Sequence, residues 1–219
     1  MIRPGGLALT KKAIETAELP EGARALDVGC GEGDTVALLK AEYGFDAIGV
    51  DKSSQLITKG RAKHESLDLR CMEAEFLDFE SKTFGAVFME CSLSVFRLRE
   101  DAVFEAYCLL KPGGKLIVTD IFLKNPDPER IDEMLAGSLV LDKLAGMMEN
   151  IGFEIIHFEE IENALENFAA QAIMDHGSLE KYFKAVVPEG ADPETFFACK
   201  AFKDPKQLGY FLMIMKKPE

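Results

Sequence analysis

A chain of 219 residues, 47% of them hydrophobic, can bury roughly 70% of the surface its unfolded form exposes, enough for one substantial core. Its 38 acidic and 25 basic residues give a net charge of −13, and no basic run offsets it locally, which argues against a nucleic-acid partner. Five cysteines, odd in number and widely spaced without a C-x-x-C pair, suggest neither a disulfide framework nor a zinc site, so we expect reduced thiols and no bound metal.

The opening MIRPGGLALTKK has no apolar centre of the kind a signal peptide needs, and no apolar run approaches ~18 residues. We therefore expect a cytoplasmic protein without a membrane partner. Leu7 to Glu18 reads as an amphipathic helix that Pro20 and Gly22 end. RALDV is then a short buried strand, followed by a glycine loop and a helix over Asp34 to Tyr43. DAIGV is a second strand ending at Asp51, and Ser53 caps a helix reaching about His64. LDLRC and the almost wholly apolar FGAVFME are the third and fourth strands, the latter patterned for burial on both faces. A helix from Glu100 to Leu110 meets a KPGG turn into the fifth strand, KLIVTDIF. Asp127-Pro128 starts a helix through Met134, and another runs from Leu139 to Asn150. FEIIHF is the sixth strand and GYFLMIM, from about Gly209 to Lys216, the last. Between these two lies a helical insertion of about residues 162–202. Alternating strands and helices imply a doubly wound, mostly parallel α/β sheet, whose ligands sit at the carboxyl ends of the strands.

The loop after the first strand, ALDVGCGEGDT, spaces its glycines as Gly29-x-Gly31-x-Gly33. Glycines there let the backbone turn sharply and approach a ligand closely. The spacing is one residue shorter than the G-x-G-x-x-G of pyrophosphate loops, and Asp34 stands where the third glycine would be. The carboxylates of Asp27, Glu32 and Asp34 favour a ligand with positive charge. Asp51, twenty-two positions after Gly29, can accept bonds from both hydroxyls of a ribose.

LDVGCGEGD (26–34), IGVDKS (48–53), MEAEFLDF (72–79), FGAVFMECSLSVF (84–96) and LKPGGKLIVTD (110–120), in that order, resemble the class I S-adenosylmethionine-dependent methyltransferases, of Rossmann-like fold. The resemblance implies a seven-stranded sheet of order 3-2-1-4-5-7-6 with the last strand antiparallel. It implies one methyltransferase domain over 1–219: an N-terminal helix or flap (1–23), a cofactor core (24–158), the insertion as lid or interface, and the last strand (209–216). By the same resemblance Gly29, Cys30, Gly31 and Gly33 line the methionine and ribose of S-adenosylmethionine. Asp27 anchors the loop or reaches the amino group, Asp51 takes the ribose hydroxyls, and Lys52 lies against the adenine. Glu73 and the Ala74 N–H meet the adenine edge, while Glu90 and Cys91 flank the methionine and face the substrate.

Direct methyl displacement needs alignment more than a dedicated base, and no catalytic residue stands out. Arg3, Ser92, Arg97 and His176 are candidates for the substrate pocket. Arg3 either reaches an acidic group or belongs to a loose terminus. A small-molecule acceptor is the main reading. The alternatives are a metalloid such as arsenite, held by Cys30, Cys71 and Cys91, a macromolecular acceptor, and a non-catalytic cofactor-binding protein. A homodimer through the insertion is also open, and its aromatic residues Phe168, Tyr182, Phe183, Phe196 and Phe197 fit core better than a substrate cage.

Overall fold

A computed structural model describes residues 3–125, 139–186 and 207–219, which form seven strands and seven α-helices. Strands β1 (Arg24–Val28), β2 (Asp46–Asp51), β3 (Asp68–Cys71) and β4 (Phe84–Glu90) pair in parallel, and β5 (Leu110–Leu123) continues parallel to β4. β7 (Leu208–Lys216) inserts antiparallel between β5 and β6 (Glu154–Glu160), so the sheet order is 3-2-1-4-5-7-6. This is the expected doubly wound topology, with the last strand reversed.

Alternate residues of the same strands feed two cores, because successive side chains point to opposite faces. One face carries Ala25, Ala86, Phe88 and Ile117. Against it pack α1 (Gly6–Thr16), α2 (Asp34–Tyr43), α6 (Ala164–His176) and α7 (Leu179–Val186), through Leu9, Ala13, Val36, Phe168 and Phe183 among others. The other carries Leu26, Val28, Val87 and Met89 under α4 (Arg99–Leu109) and α5 (Leu141–Ile151). Double coverage explains why FGAVFME is nearly continuous in apolar side chains. On the edge between β2 and β3, α3 (Ser54–Lys63) starts at Ser53, whose Oγ accepts from Leu56 N at 3.3 Å.

The differences from expectation have local causes. KPGG is no separate turn: pairing with β4 begins at Leu110 and shifts register between Phe84 and Ala86, so the extra residues form an irregularity inside β5. α5 starts at Leu141 rather than Leu139. Leu139 is instead held in extended backbone, its N–H donating to Ile121 O (3.0 Å) and its O accepting from Leu123 N (2.8 Å). The insertion begins as two helices, α6 and α7, and Phe168, Tyr182 and Phe183 in them are core residues, each no more than 5% exposed. The expected Asp127–Met134 helix, Phe196, Phe197, Cys199 and the remainder of the insertion lie outside the described residues.

Candidate functional site

Parallel pairing brings the carboxyl ends of β1, β2 and β4 side by side, and the glycine loop, Asp51 and Glu90 meet there. The glycine loop leaves β1 with Gly29, Gly31 and Gly33 at φ of 83°, 56° and 83°, a conformation other residues adopt only with strain. Gly29 N and Cys30 N both donate to Val50 O (2.8 and 3.0 Å), folding the loop over the end of β2. Crowding adds a second reason for glycine. A Cβ on Gly29 would lie 2.5 Å from Ser92 Cβ, and one on Gly33 2.9 Å from Leu69. Two of the three glycines thus serve the protein's own packing as well as any ligand.

Asp51 ends β2 with both oxygens held: Oδ2 accepts from Gly31 N (2.9 Å) and Oδ1 from Ser53 N (2.8 Å). Burial pushes its pKa up, and those two N–H groups partly counter it. Asp27 is 3% exposed, and no described residue hydrogen-bonds its carboxyl. Burial, with Glu90 and Asp51 adding, raises its pKa well above the usual range against the pull of Arg3. A buried carboxyl without a partner is costly unless something cationic or donating meets it.

Glu90, at the end of β4, shares the sheet face of Asp27: Asp27 pairs with Phe88, two residues earlier on the same strand. Its Oε2 accepts from Arg3 Nη2 and Thr35 Oγ1, both at 2.8 Å, and its Oε1 from Thr10 Oγ1, also at 2.8 Å. Arg3 additionally touches Thr10 through the same Nη2. Burial opposes the Arg3 charge, but Glu90 foremost, with Tyr210 and Asp27, leaves its pKa raised. Arg3, before α1, is therefore tied to the carboxyl end of the central strand β4 rather than loose.

Among the other expected residues, Lys52 and Glu73 are exposed at the rim and Ala74 is buried beside them. Cys91 is half-buried at φ 55°, its N–H donating to Thr119 O (2.6 Å). Burial foremost pushes its thiol pKa up, while Tyr210, whose hydroxyl donates to Thr119 Oγ1 (3.2 Å), opposes the shift. Ser92 turns inward, donating to Val28 O (2.9 Å) and tying the β4 loop to β1. Arg97 is exposed. His176 stands edge-on to Tyr182, ring centroids 5.2 Å apart, at the end of α6. The expectation that Glu32 and Asp34 would meet a cationic ligand is corrected. Asp34 pairs with Lys63 (2.5 Å), the last residue of α3, and His64 (3.3 Å), which follows it, and Glu32 faces the same Lys63 at 4.0 Å. Although burial favours the neutral acid, the Lys63 hydrogen bond holds Asp34 well below the usual carboxylate range.

Cys30, Cys71 and Cys91 are not brought together. Cys71 ends β3, three strand positions from Cys91, or ~14 Å at ordinary strand spacing. Cys30 points its sulfur inward, 2.8 Å from where a Gly49 Cβ would sit. Among the described residues no group of three His, Cys, Asp or Glu could hold a metal, and no described helix is long and apolar enough to cross a membrane.

Thr10, Thr35, Tyr210 and Asp120 went unread in the sequence. Thr10 was detectable as a hydroxyl on the apolar stripe of α1, beside Leu9 and Ala13. Asp120, fully buried, accepts from Ser94 N and Ile121 N (both 2.8 Å), fixing the turn Leu93–Val95 that follows β4. Burial raises its pKa to about 6, with those N–H groups and Arg99 opposing. The folded state then binds the Asp120 proton more tightly than the unfolded chain, so stability falls as pH rises from about 4 to about 6 and levels off above. Denaturant unfolding at pH 4, 5, 6 and 7 should show a wild-type loss larger by about 2 kcal/mol than that of Asp120→Asn. Parallel curves for the two proteins would refute the assignment.

The comparisons with known proteins bear on the family and the fold. A family model described as a methyltransferase domain matches residues 26–118, from β1 through most of β5. The uncharacterized methyltransferase YodH of Bacillus subtilis is 32% identical over 160 residues, covering 71% of this chain and 63% of YodH. The arsenite methyltransferase of Halobacterium salinarum is 27% identical over 164 residues, 68% of this chain and 42% of that protein. The chain thus spans less than two thirds of either relative. Among solved structures, the [4+2]-cyclase SpnF superposes with a TM-score of 0.76 at 25% identity, over 96% of this chain and 81% of that one. A Haemonchus contortus phosphoethanolamine N-methyltransferase 2, in complex with S-adenosyl-L-methionine, gives the same TM-score at 19% identity, over 100% of this chain and 54% of that one.

Proposed function

We propose, for a chain that belongs to the class I S-adenosylmethionine-dependent methyltransferases, that it transfers the methyl group of that cofactor to a small-molecule acceptor. The observation that carries the reading is the buried carboxyl of Asp27, without a hydrogen-bond partner among the described residues, beside three left-handed glycines and a carboxylate, Asp51, fixed at the neighbouring strand end. These residues fit an adenosyl sulfonium carrying an amino-acid end. Asp27 and the loop Gly29–Gly33 hold the cationic methionine end, Asp51 the ribose, and Lys52, Glu73 and Ala74 the adenine rim. When bound, the cofactor supplies an activated methyl group on a positively charged sulfur.

The protein's part is alignment. Glu90 and Cys91 stand between the loop and the start of β7, where Tyr210 and Thr119 present hydroxyls. With the Cys91 and Tyr210 pKa values both raised, these side chains act as neutral contacts that orient an acceptor and exclude water, not as nucleophiles. α6 and α7 shield this side of the sheet, consistent with the insertion acting as a lid. Relatives whose names give small acceptors, such as the sarcosine/dimethylglycine N-methyltransferase of Aphanothece halophytica, 25% identical over 182 residues, support the substrate class. The separation of the three cysteines disfavours the arsenite reading.

The fold alone does not give the reaction, since a cyclase shares it. Calorimetric titration with S-adenosylmethionine, then a labelled-methyl assay against metabolite pools, separates the cases. Binding and transfer to a small molecule are expected. Binding without transfer to any pool would overturn the catalytic reading, and absence of binding would overturn the cofactor.

A further inference from the structure

The turn after β4 is gripped at Ser94 by two side chains of opposite charge. Ser94 N donates to Oδ2 of the fully buried Asp120 (2.8 Å), and Ser94 O accepts from Arg99 Nη2 (2.5 Å). Asp120 Oδ1 accepts from Ile121 N at 2.8 Å, so both of its oxygens are engaged. The two flanks of this turn rest on the glycine loop. A Cβ added at Gly29 would lie 2.5 Å from Ser92 Cβ and 3.6 Å from Phe96 Cζ. Val95 N donates to Ser92 O (3.1 Å) and Phe96 N to Leu93 O (3.3 Å), so Ser92, Ser94 and Phe96 belong to one bonded unit. What holds Ser94 therefore sets the surface against which Gly29 is seated.

We infer that Asp120 is a positioning residue for the cofactor loop: as a carboxylate it fixes the turn that seats Gly29, and on taking up a proton it loosens that seat. This role rests on the cofactor reading above and adds proton control to it. Protonation places a hydrogen on one of the two oxygens and weakens the N–H bond which that oxygen accepts. Among the described residues, the groups facing Asp120 are Ser94 from the turn, Arg99 from α4, Cys91 from the end of β4 and Tyr210 from β7. Cys91 and Tyr210 both have raised pKa values and stay neutral near pH 6, while Arg99 stays cationic. Asp120 alone in this set titrates there, at about 6. Its ionised form is the one that costs stability, and functional sites are where such a cost is tolerated.

Isothermal titration with S-adenosylhomocysteine at pH 7 and pH 5, on the full-length wild type and Asp120→Asn, tests this role. The asparagine keeps one acceptor oxygen and is neutral throughout, so at pH 7 it should bind at least about tenfold more weakly than wild type. At pH 5 only about one wild-type molecule in eleven still carries the Asp120 carboxylate, and the advantage over the variant should shrink about five- to tenfold. Asp27 and Asp51 are present in both proteins, so their own titration cancels in the ratio. Equal affinities at pH 7 would overturn the inference, and so would a ratio that stays constant with pH, since a purely structural Asp120 would give one. Should Asp120→Asn not fold, carbon-13 NMR of the wild-type Asp120 carboxyl decides. Saturation with S-adenosylhomocysteine should bring its titration midpoint from about 6 to about 5 or lower, and an unmoved midpoint overturns the inference. A wild type that binds no S-adenosylhomocysteine at pH 7 would overturn the cofactor reading itself.

Discussion

Replacing Glu90 with alanine should cost about 3 kcal/mol of stability, measured as a shift in denaturant midpoint at unchanged slope. Glu90 has a side chain 3% exposed and accepts from Arg3, Thr10 and Thr35, which come from the N-terminal segment, α1 and α2. Its removal leaves a guanidinium and two buried hydroxyls without their acceptor, and the cost of a buried pair broken on one side exceeds the net worth of the intact pair. The partial exposure of Arg3 keeps the estimate at the low end of that range. The double variant Arg3→Met, Glu90→Met removes both charges, so it should recover more than half of the loss. A double variant as unstable as Glu90→Ala would show that the cost comes from a cavity, not from an uncompensated charge. Glu90→Gln should fall between, since it keeps an acceptor for Thr10 while giving up the ion pair.

This network also marks where the sequence stopped being legible. The alternation of strands and helices follows from periodicity, local in the chain, and the sheet order from the resemblance that the motifs carry; both hold, with β5 starting earlier, at Leu110. Asp27 and Asp51 are legible because each occupies a fixed offset from the glycines. The Glu90 cluster is not. It joins residues 3, 10, 35 and 90, and only the packing of α1 and α2 on one sheet face makes them neighbours. The same limit explains Glu32 and Asp34. Adjacent to the loop in sequence, they look like part of the site, yet they pair with Lys63 and, for Asp34, His64 at the end of α3. Ser92 sits next to Cys91, but the twist of the backbone at Cys91, with φ 55°, sends its hydroxyl back to Val28.

Gly29→Ala should lower stability by about 3 kcal/mol or more and cofactor affinity by about a hundredfold. Two separate costs add. A side chain at φ 83° brings about 1–2 kcal/mol of backbone strain. The new Cβ would also lie 2.5 Å from Ser92 Cβ, closer than such atoms approach. Ser92 cannot swing aside easily, because its hydroxyl is bonded to Val28 O at 2.9 Å and the turn Leu93–Val95 follows at once, fixed by Asp120. The loop must therefore move, and overpacking of this kind costs about 1–3 kcal/mol. Movement at Gly29 carries Gly31 with it, whose N–H is the donor to Asp51 Oδ2, so the ribose-side carboxylate loses its orientation along with the loop. The two costs separate in a double-mutant cycle with Ser92→Gly. With Ser92 shortened, the next atom near the added Cβ is Phe96 Cζ at 3.6 Å, an ordinary contact, so the crowding cost should vanish while the strain stays. A favourable coupling of about 1–3 kcal/mol between the two substitutions is expected, with partial return of affinity for S-adenosylhomocysteine. Strict additivity would mean that Gly29 is demanded by backbone conformation alone, and that the contact between the glycine loop and the turn after β4 does nothing to hold the site in shape.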